Sequence, residues 1–379
     1  MPITYPTLYH RDSKGKIRVW HMEQDDDKYR TVNGLQDGQL VYSDWTLVEP
    51  KNTGKKNATT ATEQTTKEIN AKYTKQLKTN YHENINDIDT VKYIEPMLAH
   101  KYSKHHKKVD PSTGHWVVQC KYNGFRCVIT KDSMKSRENE PYISVPHIAR
   151  ALEEFFTVYP NAVLDGELFN YDYRQQLNMI SSICRKTKNI TAEDLELSEK
   201  IIKFYIYDGY GFGNDQMMQE TPYRVRKAWI DQNVIGIYRF TEYVRSHDVT
   251  TMEEVNALYE EFVADGQEGI MLRNINTPYV HNRSVNLLKM KPEDDDEFEI
   301  LDILPGKGNW SGKAKIISVK MPNGKIFDAV FKGTMEEAIE CLENKHHWIG
   351  KTVTIKYNGL TGLMTPNFAQ FDYRNCLNH

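Results

Sequence analysis

The sequence predicts an α+β fold in three parts. These are a small β-rich N-terminal module, a mixed central domain of antiparallel sheets and helices, and a strand-rich C-terminal segment that suits a small barrel. Three observations predict it. Short strand patterns separated by turn residues run from Tyr5 to about Glu49. Strand and helix periodicities then alternate from Tyr93 to about Pro292 with no fixed repeat, which excludes a solenoid. After the acidic run Asp294-Asp295-Asp296-Glu297, strand patterns return with one helix among them. Five or so strands with one helix fit a closed barrel.

In the N-terminal module, Ile17-Arg18-Val19-Trp20, Tyr29-Arg30-Thr31-Val32 and Leu40-Val41-Tyr42 read as strands. Ser13-Lys14-Gly15, Asn33-Gly34 and Asp37-Gly38 read as their turns, Asn-Gly being a strong hairpin signal. Pro50 to Thr62 is polar and reads as a loop. Glu63 to Lys78 places Ile69, Tyr73 and Leu77 at helical spacing with lysines on other faces. Tyr81 to Asp89 reads as a linker, so the expected domains are residues 1–90, 91–293 and 294–379. In the central domain, Trp116–Cys120, Arg126–Ile129 and Lys203–Tyr207 read as strands. Pro146 to Tyr159 reads as one amphipathic helix, Thr221-Pro222 as a helix start, and Met252 to Ala264 as a helix stopped by Gly266. In the last part, Phe298–Leu301, Lys315–Val319, Ile326–Val330 and Thr352–Tyr357 are strand candidates, with a helix over Glu336–Glu343.

A chain of 379 residues, 39% hydrophobic, is long enough for two or three domains with real cores. It shows no apolar run of membrane-spanning length and no signal-peptide pattern, so a reducing, cytoplasmic setting and no membrane are expected. Five cysteines without paired CxxC spacing argue against a disulfide framework and a zinc finger. The net charge of −3 does not advertise a nucleic-acid binder, but the charge is uneven. From Lys51 to Lys108 twelve lysines face six carboxylates, which is compatible with a phosphate-binding face and also with an ordinary solvated surface.

Four segments, in chain order, carry chemistry. They are Lys121-Tyr122-Asn123-Gly124-Phe125-Arg126, Leu164-Asp165-Gly166-Glu167-Leu168, Glu268-Gly269-Ile270-Met271-Leu272-Arg273 and Leu287-Leu288-Lys289-Met290-Lys291. Taken singly, each also reads as a turn or a strand edge. Together they supply an amine, three carboxylates and late lysines. That set suits moving a nucleotide from a triphosphate onto a lysine and then onto another phosphate. An ordinary lysine titrates near ~10.4, so a nucleophilic one needs nearby cations or burial. Phosphoryl transfer depends chiefly on alignment and charge neutralisation, which Arg126, Lys289 and Lys291 could serve. Asp165, Glu167 and Glu268 are hard oxygen donors, in keeping with the one or two carboxylates that Mg2+ usually takes.

These four segments resemble the nucleotidyltransferase motifs of ATP-dependent DNA ligases, and the resemblance is closest to the compact ligases of phages and large DNA viruses. Pro96-Met97-Leu98-Ala99, Ser136-Arg137, Tyr205-Ile206-Tyr207-Asp208 and Arg283-Ser284 are similar to further ligase segments. The resemblance runs from Tyr93 to the C-terminus. It implies a nucleotidyltransferase domain joined to an OB-fold, ATP and Mg2+ (or Mn2+) as cofactors, nicked double-stranded DNA as partner, and a monomer. It also implies roles. Lys121 would form lysine–AMP. Glu167 would bind the ribose and Arg126 the nucleotide. Tyr207 and Met271 would sandwich adenine. Lys289 and Lys291 would hold phosphates, and Asp165 and Glu268 would bind metal. Arg137 and Arg283 would contact DNA.

Two departures from the family pattern stand out: Asn123 replaces the usual aspartate, and the last motif is represented at best by Phe371-Asp372-Tyr373-Arg374-Asn375. Around Lys55 and Lys56 the N-terminal module resembles small WGR-like modules that contact DNA, without the Trp-Gly-Arg signature. Two rival expectations are an RNA ligase or capping-type nucleotidyltransferase, and a ligase-like protein that binds nicks without catalysis.

Overall fold

The computed structural model describes residues 2–12, 14–213, 218–292, 294–357, 365–366 and 369–373. The N-terminal module is one six-stranded sheet of β1 (Ile3–Thr4), β2 (Leu8–Arg11), β3 (Ile17–Asp25), β4 (Lys28–Leu35), β5 (Leu40–Tyr42) and β6 (Thr46–Leu47), followed by α1 (Ala61–Leu77). Leu8, Trp20, Met22 and Tyr29 of the sheet share a core with Val48 and with Ile69 of α1. The helix starts two residues before Glu63 because Thr60 and Glu63 form a reciprocal capping box that fixes its first turn. The expected turn at Asn33-Gly34 is not one. Both residues lie inside β4, and the β3–β4 hairpin turns at Asp26-Asp27, with Asp26 at φ 53°. Aspartate tolerates that left-handed geometry, while Gly34 is needed for closeness, since a Cβ there would stand 2.7 Å from the Gln39 carbonyl oxygen.

The central part begins with β7 (Leu98–Lys101) and α2 (Tyr102–His105), then β8 (Trp116–Cys120), β9 (Phe125–Thr130) and β10 (Ser133–Lys135). Two short helices follow, α3 (Pro146–Ala151) and α4 (Glu153–Val158), where one was expected. The break falls at Leu152, with φ −100° and ψ 4°, and it lets Ile148, Leu152, Phe155 and Phe156 all enter one core. Next come β11 (Val163–Phe169), α5 (Leu177–Cys184), α6 (Ala192–Ile201), β12 (Lys203–Tyr210), α7 (Tyr223–Asn233), β13 (Thr241–Tyr243), β14 (Ser246–Asp248), α8 (Met252–Ala264), β15 (Ile270–Asn274) and β16 (Arg283–Met290). They build two five-stranded sheets, ordered β10-β9-β11-β12-β13 and β14-β8-β15-β16-β7. The chain crosses from the second sheet to the first between β8 and β9, through residues 121–124.

The last part is a closed barrel of β17 (Asp294–Pro305), β18 (Ala314–Lys320), β19 (Ile326–Lys332), β20 (Thr352–Tyr357) and β21 (Gln370–Asp372), in the order β17-β18-β19-β21-β20. The helices α9 (Met335–Glu343) and α10 (Lys345–Trp348) sit between β19 and β20 in the chain. The acidic run opens β17 and pairs with β20 from Tyr357 to Thr354. The backbone ladder is indifferent to side-chain charge, and Asp295, Asp296 and Glu297 are exposed.

By backbone proximity the chain forms two compact units, residues 94–292 and the N-terminal module together with the barrel. Within the latter unit, Asp44 N–H donates to Asn309 Oδ1 at 3.1 Å.

Candidate active site

Lys121 follows the last residue of β8 and is gripped by backbone before its side chain acts. Its N–H donates to Gly269 O at 2.9 Å, and its carbonyl accepts from Glu268 N–H at 3.1 Å. This exchange sets Glu268 beside Lys121, and the two side chains form an ion pair. Lys291 Nζ reaches the other carboxylate oxygen of Glu268 at 3.4 Å. Gly269 is obligatory here. Its φ is +129°, and a Cβ would meet Met290 O at 2.3 Å. Lys289 lies in register with Met271 on β15. Burial, then the neighbouring Lys121 and Lys291 charges, hold its pKa below the ordinary lysine value.

The first sheet supplies the other half. Arg126 on β9 donates two hydrogen bonds to Asp165 on β11, Nε to Oδ1 at 2.9 Å and a terminal nitrogen to Oδ2 at 2.5 Å. Asp165 is fully buried. Its Oδ2 also accepts from the Tyr279 hydroxyl at 2.7 Å, and that hydroxyl accepts from Met97 N–H at 3.2 Å. Burial works against the Arg126 charge, but Asp165 more than offsets it and the guanidinium pKa is raised. Glu167 pairs in register with Arg126. Burial pushes its carboxyl up to about 7, against the downward pull of Lys121 and Arg126. The β11–β12 pairing shifts between Asp165 and Gly166, so Tyr207 is the extra residue of a bulge. Its ring lies 5.5 Å from the Arg126 guanidinium, and its hydroxyl donates to Glu167 Oε2 at 3.5 Å. Gly166 sits in the same bulge, where a Cβ would stand 2.4 Å from Tyr205 O.

The structure thus brings Lys121, Arg126, Asp165, Glu167, Tyr207, Glu268, Met271, Lys289 and Lys291 to one locality. Arg283, on β16, donates to Ala99 O and contributes to the field at Lys289. Arg137 lies apart, exposed beside Glu138 in the turn after β10. Lys55 and Lys56 belong to the other unit and are exposed. Of the tentative last motif, Phe371, Asp372 and Tyr373 are described, while Arg374 and Asn375 lie outside the described residues. Asp165 is not placed as expected for a metal ligand: both its oxygens are engaged by Arg126 and Tyr279, away from solvent.

Sequence reasoning missed Tyr279, and it missed the hub at Asp208. That carboxylate accepts from Arg226 of α7 at 3.0 Å through each oxygen and from Arg273 of β15 at 2.7 Å. All three residues are buried, and the hub ties β12 of the first sheet to β15 of the second. The only sequence signal was the presence of Asp208 and Arg273 within the recognised segments.

An amine facing a carboxylate, ringed by cations on two linked, mainly antiparallel sheets, defines an enzyme site for phosphate-bearing substrates. A family model described as ATP dependent DNA ligase domain matches residues 96–291, more than half of the chain, and the chain belongs to that family. The DNA ligase of African swine fever virus (strain Badajoz 1971 Vero-adapted) is 28% identical over 354 residues, covering 86% of this chain and 78% of the viral one. The DNA ligase of Haemophilus influenzae is 26% identical over 275 residues, covering 73% of this chain and 90% of its own. Among solved structures, a Lig E DNA ligase aligns with a TM-score of 0.58 at 21% identity, covering 73% of this chain and 97% of its own. Pmar-Lig aligns at 0.60 and 19%, covering 82% and 71%. These two likenesses concern the fold.

The chain is therefore an ATP-dependent DNA ligase with a nucleotidyltransferase domain and an OB-fold barrel, and ATP is its nucleotide substrate. Neither rival reading is favoured. Among the described residues no helix is long and apolar enough to cross a membrane.

Proposed function

We propose that this enzyme seals nicks in duplex DNA with Lys121 as nucleophile. The Lys121 amine attacks the α-phosphorus of ATP. The N–P bond forms, the bond to pyrophosphate breaks, and the amine proton passes to Glu268, whose carboxylate already contacts Nζ. AMP then moves from Lys121 to the 5′-phosphate at the nick. The 3′-hydroxyl attacks that phosphorus and AMP leaves. Lys289 and Lys291 neutralise the phosphates; burial first, and then the neighbouring Lys121 and Lys291 charges, depress the pKa of Lys289.

Arg126 holds the nucleotide, and Asp165 with Tyr279 acts as its positioning frame. Glu167 accepts from the ribose hydroxyls, and Tyr207 and Met271 flank adenine, an aromatic face and a polarisable thioether suiting a purine. For Mg2+ (or Mn2+) the residues fit in part: Glu268 offers a partly exposed hard oxygen and Asp165 does not. The ion, when bound, supplies charge neutralisation on the triphosphate. Arg137, Arg283, Lys55 and Lys56 grip DNA phosphates.

The observation that carries the reading is the Lys121–Glu268–Lys291 cluster with Lys289 beside it. Mass measurement of the purified protein with ATP and Mg2+ tests it. Wild type gains one AMP and Lys121→Ala gains none. An adduct on the variant would refute the assignment.

A further inference from the structure

From Pro96 to Val109 the chain has no carboxylate, yet it carries four lysines (Lys101, Lys104, Lys107 and Lys108) and three histidines (His100, His105 and His106). His100 and Lys101 end β7, α2 follows directly, and His106–Lys108 form a 3-10 turn. The strand β7 runs parallel to β16, with Lys101 in register with Lys289. In-register neighbours on adjacent strands project to the same face. Lys101 is therefore the next side chain outward from Lys289 on the face that carries the nucleotide-handling lysines. The strand β16 has no carboxylate either.

Among the described residues the charges of Lys104, Lys107 and Lys108 are uncompensated. Several lysines of the central part pair at short range, as in Lys186–Asp194 at 2.5 Å and Lys203–Glu242 at 2.6 Å. Lys104, Lys107 and Lys108 are exposed, and none of them forms an ion pair among the described residues. Like charges so placed raise the local potential and favour a polyanion over a single small anion. Duplex DNA, with one charge per roughly 1.7 Å of axis, matches that field.

We propose that Lys104, Lys107 and Lys108 form a phosphate rail for the duplex, leading from the edge of the second sheet to the lysine cluster, outside the ATP site. The inference rests on the DNA-ligase reading and adds a binding surface to it. Phosphate contacts of this kind fix register and carry no sequence preference.

The test uses the full chain and its Lys104→Ala/Lys107→Ala/Lys108→Ala triple variant. Binding to a nicked duplex that ends in a dideoxynucleotide at the nick is titrated across salt concentrations, and AMP transfer to protein is measured separately. Loss of three phosphate contacts lowers the log–log salt slope by roughly 2.7 and weakens binding about tenfold or more at moderate salt. The rate of lysine–AMP formation stays at the wild-type value. An unchanged slope and affinity would overturn the rail. So would a fall in AMP transfer with DNA binding intact, which would assign these lysines to ATP. Failure of wild type itself to acquire AMP would instead refute the nucleophile assignment.

Discussion

Glu167→Gln should make the protein more stable at alkaline pH while it damages nucleotide binding. The Glu167 carboxyl titrates at about 7 in the folded chain against an ordinary 4.5. A raised carboxyl pKa means that the folded state holds its proton where the unfolded state has lost it. The contribution of Glu167 to stability is therefore greatest below about 4.5, falls as pH rises from there through 7, and then levels off. The full shift corresponds to about 3 kcal/mol, and roughly 2.5 kcal/mol of it is lost between pH 5 and 8. Glutamine cannot ionise, yet its amide oxygen still accepts from Tyr207. The variant should gain on wild type by about that amount over this interval. Urea unfolding of both proteins, without ATP, at half-unit steps from pH 5 to 8 gives the difference directly. Parallel stability profiles for the two proteins would refute the reasoning, because they would mean that Glu167 is solvated and ionised throughout. Equilibrium ATP binding, measured alongside, should weaken, since glutamine replaces one of the two carboxylate oxygens that accept from the ribose with an amide nitrogen that cannot accept.

Arg226→Ala leaves the buried Asp208 with part of its charge unmatched and should cost about 3–5 kcal/mol, read as a fall in the urea midpoint; a loss under 1 kcal/mol would mean that the hub does not hold the sheets together. Gly269→Ala places a Cβ against Met290 O and strains a backbone that L-residues rarely adopt. It should displace Glu268 from Lys121 and slow AMP transfer about 100-fold, which single-turnover assays with labelled ATP would show; a rate within threefold of wild type would count against the backbone clamp. Asn123→Asp should change sealing of pre-adenylated DNA less than tenfold, because amide oxygen serves hydrogen bonding as carboxylate does. A gain of tenfold or more, about 1.4 kcal/mol of barrier, would show that the missing charge limits the reaction.

Elements with strong local signals were legible in the sequence. Trp116–Cys120, Met252–Ala264 and Thr352–Tyr357 have the expected bounds, because a buried apolar strand, a capped amphipathic helix and an alternating strand each declare themselves within a few residues. One signal was misread. Asn33-Gly34 looks like a hairpin turn, but which residues turn and which pair is decided by the partner strand, here β3.

The candidate site divides in the same way. The sequence by itself determined the chemistry: an amine at Lys121, carboxylates at Asp165, Glu167 and Glu268, cations at Arg126, Lys289 and Lys291, and their order along the chain. Only the tertiary structure decided the pairing. Lys121 meets Glu268 across 147 residues of chain, through backbone hydrogen bonds that no residue type announces. Asp165 looks in sequence like a metal ligand and in the fold is the seat of Arg126 and Tyr279. Asp208, set within an aromatic strand segment, becomes the joint between two sheets. A carboxylate's role depends on which donors surround it and how much water they exclude. Those are properties of packing, and residue type and spacing do not encode them.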